Sequence, residues 1–320
     1  MQELWKIYHH EIPEFLLDFM NTDVLQRLKD IGMNCGVEYT SFPLFKRCRT
    51  YSRYDHSVGV ALIVWHFTGD MKQTIAGLLH DIATPVFAHT IDFLNNDHLL
   101  QQSTENETEN MIRQSFQLKK LLDKYHLSYD DVSDYHRYPL ADNEMPQLSA
   151  DRLEYSLGNM YNYEFVSLEE IKHYYDHIYV NDAKDELVFN DLLSAADFTR
   201  HVFENSYVYI SDEDRWAMET LAQILKAALQ EGIIKKADLY TTEKKIIAQL
   251  KSHQYYKLLW QRYCQSHQIE RCQEGMYIEA KKRYIIPKYH DTKIDQLDDS
   301  IARLCQDFLA VSFAYGLRSK

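Results

Sequence analysis

The amino-acid sequence predicts an all-α protein with little strand content. Only 9 glycines and 6 prolines occur in 320 residues, so few positions break a helix. Apolar residues recur mainly at intervals of three and four, which places them on one face of a helix. With 45% hydrophobic residues, a chain of this length can bury a large core, as one large domain or two small ones.

In the N-terminal part, the spacing of apolar residues predicts short helices followed by two buried helices. Residues 14–20 and 24–28 have the apolar spacing of short helices, and residues 34–43 are expected to cross the molecule in extended form. The segments Val58–Phe67 and Ile75–Leu79 are strongly apolar. Because a helix that is apolar on most faces belongs inside a protein, both are predicted to be buried.

A polar connection separates these helices from the next ones. Residues 101–110 contain no apolar side chain, which indicates a surface loop or a weak helix start. An amphipathic helix is predicted over residues 111–122, and a loop with a short helix over residues 125–146. Ser149 is a candidate N-cap, which places Asp151 in the first turn of the following helix. A carboxylate there is stabilised by the helix dipole.

Helices resume in the second half, after one candidate strand. Residues 186–190 are predicted to form this strand, as half of a small hairpin. Ser211 begins a helix that ends before Gly232, and Thr242 begins another. The last predicted helix has an apolar seam that must pack on the core or on another subunit. The seam consists of Ile294, Leu297, Ile301, Leu304, Phe308 and Val311.

Composition excludes several classes of partner. The formal net charge of −13 repels nucleic-acid phosphates, so a small anionic ligand is the better expectation. Five cysteines without a close repeated spacing predict free thiols in a reducing compartment. No secretory signal and no run of about eighteen apolar residues are found. We therefore expect a soluble, cytoplasmic protein without a membrane partner, and a homo-oligomer stays open.

Four residues stand out as candidate metal ligands. His56 and the pair His80-Asp81 lie at the polar ends of the two buried helices, and Asp151 supplies a second carboxylate. Buried ionic groups are costly unless they are paired, hydrogen-bonded or bound to a cation. Two imidazoles and two carboxylates suit a divalent transition metal. The alternative for each histidine is a hydrogen-bonded residue of the core.

The motifs around these residues resemble the HD domain superfamily of metal-dependent phosphohydrolases. The order His, His-Asp, Asp is the ligand order of that superfamily. The stretches 22–29, 42–43 and 52–59 look like the core of its deoxynucleoside triphosphate triphosphohydrolases, which include bacterial dGTPases and the sterile-alpha-motif HD enzyme. The run Pro85-Val-Phe-Ala-His89 resembles that branch as well. The resemblance covers roughly residues 15–160.

The resemblance implies a fold and a set of ligands. It implies a helical HD core at residues 1–165, with residues 166–320 as a helical elaboration packed on it and at most a small β-hairpin. The implied metal ligands are His56, His80, Asp81 and Asp151. The implied ion is Fe, Mn, Zn, Ni or Co, with Mg as a further candidate.

The same resemblance implies roles for five more residues. Arg53 matches a family arginine three positions before the first histidine, and it is expected to bind substrate and stabilise phosphate charge. Arg152 and Tyr155 are expected to bind substrate, and His89 and Asp92 to handle protons. Structural alternatives remain: Arg53 pairing with Asp55 or Asp81, and a core position for Tyr155. The basic cluster 281–287 is either a solvated face or a contact to substrate phosphate.

Three departures from the family pattern leave the activity open. Asn106, or a neighbour, stands where relatives have a catalytic histidine, with His98 as the nearest substitute. Thr84 replaces a histidine, and Met33 replaces a glutamine that approaches the nucleoside. The first hypothesis is a phosphohydrolase acting on a nucleotide or another small phosphorylated metabolite. The second is a catalytically weakened protein that binds metal and nucleotide for regulation.

Overall fold

The computed structural model describes residues 1–94 and 107–320. Helices dominate both parts, which confirms the predicted fold class. The α-helices of these described parts are α1 Gln2–Tyr8, α2 Glu14–Met20, α3 Asp23–Arg27, α4 Pro43–Arg47, α5 Arg53–Thr68, α6 Met71–Leu79, α7 Thr90–Leu94, α8 Thr108–Gln114, α9 Phe116–Lys124, α10 Ala150–Asn162, α11 Leu168–Asp176, α12 Leu192–Tyr209, α13 Asp212–Gln230, α14 Glu243–Ser252, α15 Gln254–Gln265 and α16 Asp299–Ala310.

Short strands form two small sheets beside the helices. The strands are β1 Ile178–Val180, β2 Leu187–Phe189, β3 Ile269–Cys272, β4 Met276–Tyr277, β5 Lys288–Tyr289, β6 Thr292–Lys293 and β7 Gly316–Ser319. One sheet has the order β1-β2-β5-β6 and the other β3-β7-β4. The predicted hairpin is confirmed as β1-β2, in which Ile178 faces Phe189. The other strands have two to four residues each, too short to give a periodic signal.

The apolar helices α5 and α6 pack on each other, and α10 packs across α5. Two glycines permit this crossing. A Cβ on Gly59 of α5 would lie 2.5 Å from the side chain of Glu154, and a Cβ on Gly158 of α10 would lie 2.3 Å from the Tyr51 hydroxyl. The close contact between the helices brings the start of α5 beside the start of α10.

Three local expectations are corrected. The segment 34–43 is not extended throughout, because Gly36 takes a left-handed conformation (φ 91°) and a 3-10 turn follows at Val37–Tyr39. The amphipathic stretch 111–122 is two helices, because Ser115 ends α8 and caps α9 with its side chain. The seam of the last helix is shorter than predicted, since Leu297 lies before α16 and is 45% exposed.

Residues 166–320 are hydrogen-bonded to loops of the first half. The Glu243 carboxylate accepts from the backbone N–H of Gly32 (3.0 Å) and of Phe87 (3.3 Å). The Arg27 guanidinium donates to the carbonyls of Thr84 (2.8 Å) and Thr241 (3.1 Å). These bonds join the two halves at the segments on either side of α5 and α6.

Within residues 1–94 and 107–320, none of the helices reaches the length and hydropathy of a membrane span.

Candidate metal centre and active-site cavity

The start of α5 orients the first two candidate residues. Ser52 and Asp55 form a capping box, in which the Ser52 hydroxyl accepts from the Asp55 N–H (3.2 Å) and the Asp55 carboxylate accepts from the Ser52 N–H (3.0 Å). Such a box satisfies two backbone N–H groups that the first turn leaves without partners. Arg53 and His56 therefore project from a fixed first turn.

The end of α6 supplies His80 and Asp81. The His80 Nδ1 atom lies 2.6 Å from the Gly77 carbonyl oxygen, so that nitrogen carries the proton and donates. The Asp81 carboxylate accepts from the Thr84 hydroxyl (2.8 Å) and from Arg53 (2.9 Å). Thr84, noted in the sequence as a departure from the family pattern, thus has a role in orienting Asp81.

The start of α10 supplies Asp151. The Ser149 side chain accepts from the Arg152 N–H at 3.3 Å, which confirms the predicted N-cap. Asp151 consequently stands in the first turn of α10. This turn faces the start of α5 because the two helices cross there.

The candidate donors of all three elements meet. Nε2 of His56 lies 3.0 Å from Oδ1 of Asp151, and Nε2 of His80 lies 3.7 Å from the same oxygen. One donor atom from each of these three residues falls within 4.8 Å of the other two. Oδ2 of Asp81 lies 4.0 Å from His56 Nε2 and 3.7 Å from His80 Nε2. It is the same oxygen that accepts from Arg53.

The charges of this cluster are strongly coupled. Burial alone lowers the pKa of His56, but its hydrogen bonds with Asp151 and Glu154 outweigh burial and raise the pKa to about 10. Burial opposes ionisation of Asp81, but the Arg53 guanidinium holds the pKa of that carboxyl well below its usual value. Burial also opposes ionisation of Asp151, but its hydrogen bond with His56 and the positive charge of that imidazole hold the pKa of Asp151 well below its usual value. The cluster therefore favours carboxylate anions with a positive charge between them.

Glu154 is a site residue that sequence reasoning missed. Its Oε2 atom lies 2.6 Å from His56 Nδ1 and accepts from the Tyr51 hydroxyl at 2.5 Å. The carboxylate is buried and fixes the imidazole so that Nε2 faces Asp151. The only signal in the sequence was its spacing, one helical turn after Asp151.

His89 and Asp92 form a separate pair. Nδ1 of His89 lies 2.9 Å from Oδ2 of Asp92, whose side chain is fully buried. Burial and the positive charge of Arg283 lower the pKa of His89 to about 4. The imidazole is therefore neutral at pH 7, and its Nε2 atom, 3.5 Å from an Arg283 nitrogen, is free of a proton when Nδ1 donates to Asp92.

The four candidate metal ligands, Arg53 and His89 line one cavity of about 480 Å³, a size typical of small-molecule sites. Arg152 and Tyr155 line it as well, and the Arg152 guanidinium is held by Asn143 (2.7 Å) and Asp142 (3.1 Å). Asp92 stands behind His89 and is not part of the wall. The predicted residues on the wall are Arg53, His56, His80, Asp81, His89, Asp151, Arg152 and Tyr155, together with Met33.

The second half of the chain completes the wall. Lys281 and Arg283 of the basic cluster line the cavity, which favours the interpretation of that cluster as part of the site. Asp214 of α13 also lines it and was not predicted. Asn106 and His98 lie outside the described residues, so their predicted roles stay predictions.

A known protein family matches the segment that contains the four candidate metal ligands. Residues 53–152 match the HD domain family. A Bacillus subtilis protein, the uncharacterised YdhJ, is 28% identical over 256 residues, which cover 78% of this chain and 75% of that protein. A solved Aquifex aeolicus structure, described as a hypothetical protein, covers 91% of this chain and 89% of its own with a TM-score of 0.63 at 17% identity, which confirms the fold.

Two relatives with assigned activities match shorter stretches. A Dictyostelium discoideum protein named as a homolog of the deoxynucleoside triphosphate triphosphohydrolase SAMHD1 is 30% identical over 99 residues, covering 26% of this chain and 18% of that protein. The metal-dependent phosphohydrolase cns2 of Cordyceps militaris is 26% identical over 171 residues, 52% of this chain and 46% of that protein. The matches thus span less than half the length of both relatives.

Proposed function

We propose that this chain, which carries an HD domain at residues 53–152, is a metal-dependent phosphohydrolase that acts on a small phosphorylated molecule, with nucleotides as the first candidates. The observation that carries the proposal is the meeting of His56, His80 and Asp151 donor atoms within 4.8 Å on the wall of a cavity.

The donor set fits a divalent transition metal. Both imidazoles have their Nδ1 atom satisfied, by Glu154 and by the Gly77 carbonyl. This leaves both Nε2 atoms directed at Asp151, the arrangement by which outer hydrogen bonds orient metal-binding histidines. Nitrogen and carboxylate donors suit Fe, Mn, Zn, Ni or Co, with Mg as a further candidate, and Asp81 is proposed as the fourth ligand. When bound, such an ion polarises a phosphoryl oxygen and acidifies a water.

The surrounding residues would perform the rest of the chemistry. The buried Arg53 guanidinium is held by Asp81 on the cavity wall, where a fixed positive charge stabilises the negative charge that develops on a phosphoryl group. Arg152 adds a second positive charge on the wall, and Tyr155 contacts the substrate. His89, oriented by Asp92 on the same wall, stays the proposed proton-handling residue.

A nucleotide is proposed as the substrate on two grounds. The Dictyostelium relative, which matches 26% of this chain, carries a name that refers to deoxynucleoside triphosphate hydrolysis. The cavity also has space for more than a phosphate group and combines basic with aromatic side chains, Tyr155 and Tyr209 among them. The cytoplasm remains the proposed location, on the cysteine pattern, and a homo-oligomer remains a proposal.

The test is metal analysis of the purified protein combined with phosphate release from a substrate panel. The panel holds deoxynucleoside triphosphates, nucleoside monophosphates, sugar phosphates and an aryl phosphate, with chromatography to separate loss of phosphate from loss of triphosphate. We expect bound transition metal and release from at least one nucleotide. Nucleotide binding without any release would instead favour the regulatory hypothesis, and absence of both metal and release would contradict the proposal.

A further inference from the structure

Resting on the proposed function, we propose that Asp214, with Asn159 and Tyr209 beside it, forms a subsite at the end of the cavity away from the metal donors, and that this subsite binds N–H groups of the substrate. The substrate class would then be phosphate esters whose far end is an amino-substituted ring, such as a purine base with exocyclic or ring N–H donors.

The cavity extends along α10. Asp151, Tyr155 and Asn159 all line it, and they follow one another at intervals of four residues on this helix. Residues four apart lie on the same helix face, and a rise of 1.5 Å per residue separates Asp151 from Asn159 by about 12 Å. Asn159 therefore marks an end of the cavity distinct from the metal donors.

The wall at that end is made by three different helices. The Asn159 side-chain amide donates to the Tyr209 hydroxyl (2.9 Å), which joins α10 to the end of α12. Tyr209 is the last residue of α12, and Asp214 lies in the first turn of α13, which begins at Asp212. The short turn between the two helices keeps these residues close together on the cavity wall.

The Asp214 carboxyl group is the unusual member of this wall. The residue is only 9% exposed, and its side chain has no hydrogen-bond or ion-pair partner within residues 1–94 and 107–320, although it lines the cavity. Its neighbour Arg215 directs its guanidinium to Asp212 and to the carbonyls of Ile210 and Ile278. Because its carboxyl group lines the cavity and no protein group within the described residues pairs with it, Asp214 is available to accept hydrogen bonds from a ligand.

The chemistry of that ligand follows from what a carboxyl group offers. Burial raises the pKa of Asp214 well above its usual value, so the empty cavity favours the protonated form. Protonated or ionised, the group presents at least one oxygen acceptor, and N–H donors satisfy it in either state. Asn159 and Tyr209 already bond to each other, which leaves Asp214 as the main acceptor.

The subsite lies outside the family segment. Asn159, Tyr209 and Asp214 all follow residue 152, where the match to the HD domain ends. Membership of the family therefore predicts the metal end of the cavity and not this one. In the proposed arrangement, the HD segment performs the chemistry and later helices select the substrate.

The test compares equilibrium binding of two matched probes, guanosine monophosphate and purine riboside monophosphate, whose base has the same ring system without N–H donors. Inorganic phosphate reports on the metal end. The proteins are the metal-loaded full chain, Asp214→Leu, which has no acceptor, Asp214→Asn, which keeps one carbonyl, and Glu213→Gln as the control. Glu213→Gln removes one acidic group from the adjacent position, outside the cavity wall.

We expect wild type and Glu213→Gln to bind guanosine monophosphate at least tenfold more tightly than purine riboside monophosphate. Asp214→Leu should lose this preference and Asp214→Asn should keep part of it, while phosphate binding is unchanged in all four. Neither Asp214→Leu nor Asp214→Asn should unfold at a lower temperature than wild type, because each removes a buried acid that has no partner in the described residues.

Either of two kinds of result would overturn the subsite. One is equal binding of the two nucleotides by wild type, or an unchanged preference in Asp214→Leu. The other is a lower unfolding temperature with weaker binding of every probe, phosphate included, which would make Asp214 a structural residue. Failure of hydrolysis is separate: a preserved nucleotide preference with no phosphate release from any substrate would refute the proposed reaction and leave the subsite standing.

Discussion

Nδ1 of His56 lies 2.6 Å from Oε2 of Glu154. Glu154 stands one helical turn after Asp151, so α10 contacts both nitrogens of the same imidazole, through Glu154 on one side and Asp151 on the other. The absence of a side chain on Gly59 makes room for Glu154. His56 is thereby fixed before any ion binds, which lowers the entropic cost of forming the metal centre.

Glu154→Gln should weaken metal binding without unfolding the protein. An amide cannot stabilise a proton on His56 Nδ1 as a carboxylate does, and changes to such outer partners typically reduce metal affinity ~10–100-fold. Titration of the metal-free protein with Mn²⁺ or Zn²⁺ measures the effect. The control is Tyr51→Phe, which removes a hydroxyl bonded to the same carboxylate and leaves the carboxylate–imidazole contact. Equal affinities in wild type and Glu154→Gln would assign Glu154 to packing alone.

His80→Ala should abolish metal retention, because it removes one of the three clustered donor atoms. His136→Ala is the matched control: it is also a cavity histidine, but its Nδ1 pairs with Asp142. Elemental analysis of the purified proteins measures the metal content of wild type and of both variants. Asp81→Ala should lose metal as well if Asp81 is the fourth ligand, whereas full retention would assign Asp81 to holding Arg53.

Arg53→Lys should keep its metal and lose turnover. A lysine places one compact charge where the guanidinium forms a planar fork, so it cannot hold Asp81 and a phosphoryl oxygen together. Removing one positioned hydrogen-bond donor at a developing negative charge typically costs ~10²–10³-fold in kcat, and we expect a loss of that order when the guanidinium fork is replaced by an ammonium group. Steady-state kinetics and metal analysis of the same preparation measure both quantities. The exposed Arg113→Lys serves as control, and unchanged turnover in Arg53→Lys would reassign Arg53 to structural pairing with Asp81.

Glu38→Gln should stabilise the protein at alkaline pH. Burial and the nearby Glu243 carboxylate raise the pKa of Glu38, and Oε2 of Glu38 is buried without a partner in the described residues. Glu243 accepts three hydrogen bonds, from Tyr39, Gly32 and Phe87, so Glu243 holds the charge and Glu38 the proton.

The raised pKa of Glu38 determines how the free energy of unfolding changes with pH. The folded state binds the Glu38 proton more tightly than the unfolded state, so its contribution is complete below the ordinary glutamate pKa and is lost as pH rises through the raised one. One pKa unit corresponds to about 1.4 kcal/mol, and we expect at least that gain for Glu38→Gln at pH 9 over its effect at pH 5. Urea unfolding at both pH values measures it, and a pH-independent difference would contradict the assignment.

Local patterns predicted most of the helices, because caps and apolar spacing are properties of neighbouring residues. Ser149 capped its helix and placed Asp151 as expected. Contacts between distant segments were not predictable in the same way. Glu154 gains its role only because α10 crosses α5, and Asp214 enters the cavity only because α13 follows Tyr209 at a tight turn. The 3-10 turn after Gly36 depends on the left-handed glycine.

The dependence of the first half on Glu243 and Arg283 has a consequence for biosynthesis. A ribosome releases residues in chain order, so every proposed metal ligand emerges before the acceptor for the Gly32 and Phe87 N–H groups and before the arginine beside His89. A nascent chain therefore carries the complete ligand set while its cavity is still open to water. We expect hydrolysis only after residue 283 has left the ribosome, and stalled chains that turn over substrate before that point would contradict this expectation.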